Sequence, residues 1–513
     1  MNANAVNQRS RLQITGLILG PVMFFAVLLL NLDPSNVMVT RMAAVAALMA
    51  VLWVTEAVPL AATAMLPVIL FPLLGIMKGK AAASVYFNST IFLFMGGFLI
   101  ALAMEKWNLH KRIALFTVKT IGGGPSRLVF GFMVASAFLS MWISNTATAV
   151  MMLPIAMSII MKMEEQFSQK DTHHFSLCLL LGIAYAASMG GAATLVGTPP
   201  NLVLVRTFEQ TFPNAAPISF GVWMTMALPL SIVMLFTIWF LLTRVFFKVP
   251  THVSVDHSIV EREYRSLGAL SPEEKKVLVI FFVTAALWIF RKNLNIGVAV
   301  IPGWAGLLPY PKLIDDGTVA IAMASILFFL PTRSKDADTA TILDSTVFSK
   351  LPWGIILLFG GGFALAKGFQ ASGLSAFIGS KLGILEGTSN VFMISGICAT
   401  LTFLTELTSN TATTQMILPI LSSIAVAMKT NPLMLLIPAT LSASCAFMMP
   451  VATPPNAIIF GSGRVKIYEM VKAGVFINVI GVFVITTVFL ALGTLVFAID
   501  PNVIPDWALL AYN

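Results

Sequence analysis

The sequence predicts an all-α polytopic membrane protein of about 11 transmembrane helices plus two re-entrant hairpins, arranged as an inverted repeat. Three observations carry that prediction. Of the 513 residues, 58% are hydrophobic and only 10% are charged, whereas charged residues make up roughly 25% of an ordinary soluble domain. Apolar stretches of about 20 residues, long enough to cross a bilayer, recur along the chain and leave no room for a soluble catalytic domain. Finally, the pentapeptide SNTAT occurs twice, at 144–148 and 409–413, each time inside a strongly apolar run.

The chain opens with MNANAVNQRSR and an apolar run near 13–31. That run is too long for the core of a secretory signal and no small-residue cleavage site follows it, so it reads as a retained first helix. Further apolar segments lie near 39–55, 58–76, 176–206, 219–247, 433–460 and 471–498, with shorter or interrupted ones at 90–104, 126–163, 276–290, 318–331, 353–368 and 390–428. Cys178, Cys398 and Cys445 sit within apolar segments at unrelated spacings and read as buried, inert thiols. The histidines fall in polar connections, with His173 and His174 a solvated loop pair rather than a ligand pair. The formal charge of +9 fits the positive-inside bias of cytoplasmic loops and does not call for a nucleic-acid partner. Arg9 and Arg11 place the N-terminus inside, and the basic residues of the link after 247 place that link inside as well. The tail IDPNVIPDWALLAYN has two acids and no Lys or Arg, and belongs outside. Ends on opposite sides require an odd number of crossings.

The two SNTAT copies start at Ser144 and Ser409, an offset of 265, and GGF at 96–98 recurs at 361–363 with the same offset. Leu153 and Pro154 match Leu418 and Pro419. GTPPN from Gly197 matches ATPPN from Ala452, offset 255. The chain therefore divides into a leading helix and two related halves, 39–247 and 276–498. With five crossings per half and SNTAT as a hairpin that returns on its own side, the second half is inverted relative to the first. Inverted repeats broken at matching places point to a secondary transporter whose site lies near the midplane.

Polar backbone at membrane depth persists only where protein or a watery cavity satisfies it. SNTAT reads as a hairpin tip, because Ser, Asn and Thr are the usual N-cap residues and an apolar helix can start directly after it. TPPN is a second break: Pro199 and Pro200, like Pro454 and Pro455, lack donors and push the preceding residue out of helical geometry, freeing the carbonyls of Gly197 and Ala452. Ser140 and Thr405, each four residues before a motif serine, share its helix face and add an oxygen to each cluster. Hydroxyl, amide and carbonyl oxygens suit a small hard cation, while helix N-termini suit an oxyanion. Neither motif contains Lys or Arg, so a co-bound cation and the fixed dipoles supply the attraction, and coupling follows. Ser and Thr in membrane helices often serve only as interhelical hydrogen-bond groups worth about 1 kcal/mol; the duplication, each copy followed by a Pro-Pro break, argues against that reading here. Among charges in apolar segments, Glu406 adjoins the second cluster, where the first has Met141, and either orients the hairpin or faces a vestibule. Glu56 and Lys367 read as structural or snorkelling, and Glu105 and Lys106 as marking an interface.

The two SNT tips, GTPPN, PVATPPN and the segment WVTEAVPL at 53–60 together resemble the divalent anion/sodium symporter family, sodium-coupled carriers of dicarboxylates, citrate and sulfate. The resemblance covers nearly the whole chain and is nearest to the bacterial dicarboxylate carriers. It implies a homodimer whose protomers each have a scaffold part (1–110 and 276–370) and a transport part (111–247 and 371–513), joined by a cytoplasmic link at 248–275 and working by an elevator-like displacement. Carried over residue by residue, one sodium site uses Ser140, Ser144, Asn145 and the carbonyl of Gly197. The other uses Thr405, Ser409, Asn410 and the carbonyl of Ala452. Substrate carboxylates are held by Ser144, Asn145 and Thr146 with Thr198 and Pro199, and by Ser409, Asn410 and Thr411 with Thr453 and Pro454.

The expected function is sodium-driven import of C4-dicarboxylates such as succinate, malate or fumarate across a bacterial inner membrane, with sodium as the co-transported ion and no organic cofactor. Two separated anion-binding tips fit a dicarboxylate better than compact sulfate. The competing readings are a sulfate or citrate carrier, a sodium-independent exchanger and, less favoured, an anion channel. No buried Ser/His, paired-acid or metal-ligand constellation suggests an enzyme, and no GxxxxGK[ST] suggests a nucleotide-driven pump.

Overall fold

The computed structural model describes residues 9–510 apart from 166, 250–257, 296–299, 334–338, 383–388 and 502. Those residues are overwhelmingly helical, and the one named sheet is a two-residue antiparallel ribbon, β1 (Leu294–Asn295) against β2 (Val300–Ile301). Among the described residues, eight helices are long and apolar enough to cross a membrane, accompanied by shorter apolar ones.

The leading helix α1 (Arg11–Leu29) begins where Ser10 and Gln13 cap each other, the Gln13 N–H donating to Ser10 Oγ at 3.2 Å and the Ser10 N–H to Gln13 Oε1 at 2.9 Å. This reciprocal pair satisfies two orphan donors of the first turn. Only Gly16 and Gly20 of α1 are buried. Spaced four apart, they bring it close to α2 (Val37–Thr55), the small-residue contact that lets helix backbones approach in lipid. Leu12, Ile18, Val22 and Phe25 face outward, an arrangement suited to a bilayer as solvent.

The chain continues through α3 (Leu60–Ala64), α4 (Leu66–Leu73), α5 (Gly79–Ala83), α6 (Ser89–Lys106) and α7 (Leu109–Ile121). A helical hairpin follows, α8 (Pro125–Ser140) and α9 (Asn145–Glu164), then α10 (Gln169–Ala192), α11 (Pro199–Thr211) and α12 (Phe220–Phe240). Beyond α13 (Ser258–Ser266) the order returns. It runs α14 (Pro272–Ile289), α15 (Asp316–Phe329), α16 (Trp353–Ser372), α17 (Leu374–Leu382), a second hairpin of α18 (Asn390–Thr405) and α19 (Asn410–Ala427), then α20 (Leu433–Ser442), α21 (Pro454–Phe460) and α22 (Ile467–Val488). Two short helices, α23 (Thr494–Val496) and α24 (Asp506–Leu509), end the chain. Pro154 and Pro419 both lie inside the second helix of their hairpin. Both α12 and α22 run on into a π-helical turn, Leu241–Phe246 and Phe489–Gly493, a repeated irregularity with no letter-for-letter signal.

The halves interlock through the GGF glycines. α6 packs on α15, and α16 packs on α3. A Cβ on Gly96 would stand 2.6 Å from the backbone carbon of Ala320, and one on Gly361 would stand 2.5 Å from the carbonyl oxygen of Ala64. Each glycine thus permits one helix of one half to cross one helix of the other at backbone contact. Gly96→Ala or Gly361→Ala is expected to force these crossings apart and destabilise the fold by about 1–3 kcal/mol, read as a lower melting temperature in detergent. Gly354→Ala, at a position with nothing near the added methyl, should not lower it.

Some expectations change. The link 248–275 is not simply a polar loop: α13 lies within it, and Arg112 of α7 reaches across to its C-terminal end. The Arg112 Nε donates to Glu274 Oε1 at 2.7 Å and Nη2 to Glu274 Oε2 at 3.1 Å, while Nη1 donates to the carbonyl of Gly268 at 3.0 Å. A nine-residue amphipathic helix among charges carries too weak an apolar signal to stand out from sequence. His173 lies in α10 rather than a loop, its Nε2 2.7 Å from Glu469 Oε1; His252 and His257 lie outside the described residues. Lys106 does mark a contact, with Nζ 2.9 Å from Asp344 Oδ2. The Thr346 hydroxyl and then Lys106 hold the Asp344 carboxyl down to about 2. Lys367 is exposed inside α16. The expected part boundaries at 110/111 and 370/371 fall inside α7 and α16.

Candidate functional site

Each SNTAT occupies the turn of a helical hairpin. In the first, α8 ends at Ser140 and α9 starts at Asn145 with Ser144 as its N-cap, the Ser144 Oγ accepting from the Ala147 N–H at 3.1 Å. Ser140, fully buried, donates from Oγ to Asn145 Oδ1. Between α10 and α11 the chain is unwound, and Thr198 is extended (φ −143°, ψ 139°) before Pro199 and Pro200 begin α11. A Cβ on Gly191 would lie 2.6 Å from Asn145 Oδ1 and 3.0 Å from the Gly197 carbonyl oxygen. One on Gly197 would meet the carbonyl oxygens of Gly191 and Ser140 at 2.5 and 2.9 Å. Several oxygens therefore converge on a space that only glycine leaves open.

The second hairpin repeats this. α18 ends at Thr405, whose Oγ1 lies 2.5 Å from Asn410 Oδ1 and 3.0 Å from the Ala443 carbonyl oxygen, its single proton donated to one of the two at a time. α19 starts at Asn410 after Ser409. Capping differs between the halves in a compensating way. Ser144 caps its helix, whereas Thr198 makes no side-chain cap. In the second half Ser409 makes no side-chain cap, whereas Thr453 Oγ1 accepts from the Asn456 N–H at 3.3 Å. The expectation that SNT serines serve as N-cap acceptors is thus met at Ser144 and not at Ser409, and in each half one of the two N-cap hydroxyls makes no capping bond.

Both clusters line one cavity of about 760 Å³. Ser144, Asn145, Thr146, Gly197, Thr198 and Pro199 reach it from the first half, and Ser409, Asn410, Thr411, Ala452, Thr453 and Pro454 from the second. Ser140 and Thr405 are not at its surface; they stand behind Asn145 and Asn410, bonded to them. Among the described residues no Lys or Arg lines the cavity. The N-termini of α9, α11, α19 and α21 all open onto it, and each helix end carries roughly half a positive charge. At the starts of α9 and α19 the first N–H groups have no intrahelical acceptor. The cavity therefore combines oxygens arranged for a hard cation with N–H groups and dipole ends arranged for an oxyanion.

Sequence reasoning left out the residues that hold the breaks in shape. Asn201 and Asn456, the last letters of the two TPPN motifs, are fully buried. Asn201 Nδ2 donates to the carbonyls of Ala192 and Thr194 at 3.2 and 2.7 Å, and Asn456 Nδ2 to those of Ala446 and Met449 at 3.0 and 3.1 Å. Thr194 Oγ1 donates to the Met141 carbonyl at 2.5 Å and accepts from the Gly197 N–H at 3.0 Å, tying the hairpin turn to the break. The duplicated asparagine was the available signal, and Gly191 and Thr194 had none. Glu406 orients the second break and does not face the cavity: buried, it accepts from the N–H groups of Phe447, Met448 and Met449 at 2.6, 2.8 and 2.9 Å and from Asn478 Nδ2 at 2.7 Å.

Comparison with known proteins agrees with this geometry. Residues 13–499 match the profile described as the sodium:sulfate symporter transmembrane region. The chain is 40% identical over 498 residues to the sodium-dependent dicarboxylate transporter SdcS of Staphylococcus saprophyticus, covering 95% of this chain and 93% of that protein. It is also 40% identical over 499 residues to SdcS of Staphylococcus aureus, covering 96% and 93%. Among solved structures, Neisseria gonorrhoeae MtrF, described as one of a class of antimetabolite efflux pumps, has TM-score 0.53 at 13% identity, covering 80% of this chain and 82% of its own. The Alcanivorax borkumensis YdaH transporter has TM-score 0.51 at 12% identity, covering 82% and 88%. These two share the fold alone. Duplicated tips, a polytopic helical fold and a family match along almost the entire length agree: the chain belongs to the sodium:sulfate symporter family and is a multi-pass membrane transporter, not an enzyme.

Proposed function

We propose that this protein imports C4-dicarboxylates such as succinate, malate or fumarate, driven by sodium, across a bacterial inner membrane. The observation that carries the reading is the single cavity bounded by both SNT turns and both TPPN breaks with no basic side chain. A dianion is held there by N–H groups, hydroxyls and helix dipoles, and sodium supplies the missing positive charge. In this reading one sodium ion takes oxygens from Ser140, Ser144, Asn145 and Gly197, and another from Thr405, Ser409, Asn410 and Ala452. Asn145 with Thr146, and Asn410 with Thr411, hold the two carboxylates, with Thr198, Pro199, Thr453 and Pro454 beside them. A hydroxyl such as that of Ser140 rotates freely, so its lone pairs turn to a cation as readily as its proton turns to Asn145. The relatives named as sodium-dependent dicarboxylate transporters support the substrate class.

With α5, α7, α13, α17, α23 and α24 taken as non-crossing, and α3 grouped with α4, α10 with α11 and α20 with α21, eleven crossing units remain beside two hairpins; with an N-terminus in the cytoplasm, this reading puts the C-terminus outside. The homodimer, the scaffold and transport parts and the elevator displacement rest on the family resemblance. A sulfate reading has the family description in its favour, but a cavity of about 760 Å³ with two separated anion-binding turns suits a longer anion. The test is uptake of labelled succinate into proteoliposomes with an inward sodium gradient. Replacement of sodium by choline should remove accumulation, and unlabelled malate or fumarate should compete better than sulfate or citrate. Accumulation that survives in choline, or preferential competition by sulfate, would overturn the corresponding part of the reading.

A further inference from the structure

Among the described residues the cavity has one formally charged residue in its lining, Glu56, and its placement is unfavourable to the local fold in two respects. Glu56 caps the C-terminal end of α2 in the left-handed conformation, φ 46° and ψ 37°, a position that glycine fills without strain. Its negative charge also lies at the end of a helix where the dipole is itself negative. Its backbone is fixed there: the Glu56 N–H donates to the Trp53 carbonyl at 3.4 Å, and Gln13 Nε2 of α1 donates to the Glu56 carbonyl at 3.2 Å. Among the described residues the carboxylate has neither an ion-pair nor a hydrogen-bond partner. Glu56 is exposed, as the snorkelling reading expects, but that reading accounts neither for the left-handed cap nor for the place of the charge on the cavity wall. A strained, unpaired charge at a cavity calls for a functional account.

We infer that Glu56 weakens the hold of the open cavity on doubly charged anions, acting as an electrostatic release and selectivity residue; this rests on the proposed dicarboxylate function. A cavity of this volume is on the order of 10 Å across, about one Debye length at physiological salt, so the carboxylate is only partly screened from a bound anion. The repulsion grows in proportion to the charge on the anion. A dianion is therefore disfavoured by the square of the factor felt by a monoanion of similar shape, and it leaves faster once the cavity is open. In this reading sodium supplies the attraction, so once sodium has gone the repulsion from Glu56 is no longer offset.

Binding of succinate and of its monomethyl ester to the purified full-length protein, at fixed sodium, tests this. Glu56→Gln is expected to bind succinate about threefold to tenfold more tightly than wild type at low ionic strength, and the ester more tightly by only about the square root of that factor. Adding choline chloride to about 0.5 M should shrink the difference. Glu56→Asp should behave as wild type. Glu56→Gly, which relieves the left-handed strain, should match Gln in binding and melt higher, so loss of folding does not obscure the result. Unchanged or weaker succinate binding in both neutral variants, or equal effects on dianion and monoanion, overturns the inference. Wild-type protein that binds no dicarboxylate in sodium overturns the functional reading and this inference with it.

Discussion

Asn145→Ala and Asn410→Ala are each expected to reduce sodium-driven uptake by on the order of 100-fold or more while leaving the protein folded. Each asparagine lies at the first position of a hairpin helix and lines the cavity, and its Oδ1 already faces the hydroxyl of Ser140 or Thr405. In the proposed site each asparagine contacts both an ion and a carboxylate. A hydrogen bond to a charged group contributes about 1.5–3 kcal/mol, so losing two such contacts amounts to about 3–6 kcal/mol, and each 1.4 kcal/mol is a factor of ten. The structural penalty is smaller: the buried Ser140 or Thr405 hydroxyl loses a partner, and Thr405 keeps the Ala443 carbonyl. Uptake and melting temperature measured on the same preparations separate the two effects. Wild-type uptake in either variant would refute the assignment.

Glu406→Ala is expected to give the largest loss of stability. It leaves four donors, three consecutive N–H groups and the Asn478 amide, without their acceptor inside the protein. The bonds to Phe447 and Asn478 are buried and those to Met448 and Met449 partly so; each unsatisfied buried group costs about 1–3 kcal/mol, so even the two buried ones remove a large share of a typical domain stability of about 5–15 kcal/mol. Glu406→Gln keeps one acceptor oxygen and turns an NH₂ toward donors, so it should melt between wild type and Ala. It should also transport poorly, since the stretch that Glu406 holds leads to the Ala452 carbonyl at the cavity. Thermal melts of all three proteins in detergent check the order, and a Glu406→Ala variant as stable as wild type would contradict it.

The contrast between these residues explains what the letters revealed. SNTAT and TPPN were legible because a hairpin turn and a Pro-led helix start are local events, written in adjacent residues and, here, written twice. The role of Glu406 was not legible, because its partners are three backbone groups about 40 residues away and the Asn478 amide farther on, and Met141 stands at the matching position of the first half. The fall in offset from 265 to 255 also has a structural cause: α20 has 10 residues where α10 has 24, and a longer unwound stretch before ATPPN makes up only part of the difference. GGF was visible as a repeat, but its reason, a backbone-to-backbone crossing between halves, appears only when α15 and α3 are in place. Glu56 was read as structural because its charge sits at a segment end in the sequence, while in space that end opens onto the cavity.

The central claim is that the two turn clusters make one site in which sodium is required for the anion to bind. Equilibrium binding of labelled succinate to the purified protein, titrated against sodium at constant ionic strength, tests it most directly. The account predicts tight binding that appears only with sodium, depends on it cooperatively, and is lost in both Asn145→Ala and Asn410→Ala. Succinate binding of equal affinity without sodium, or retained in full by either variant, would contradict it.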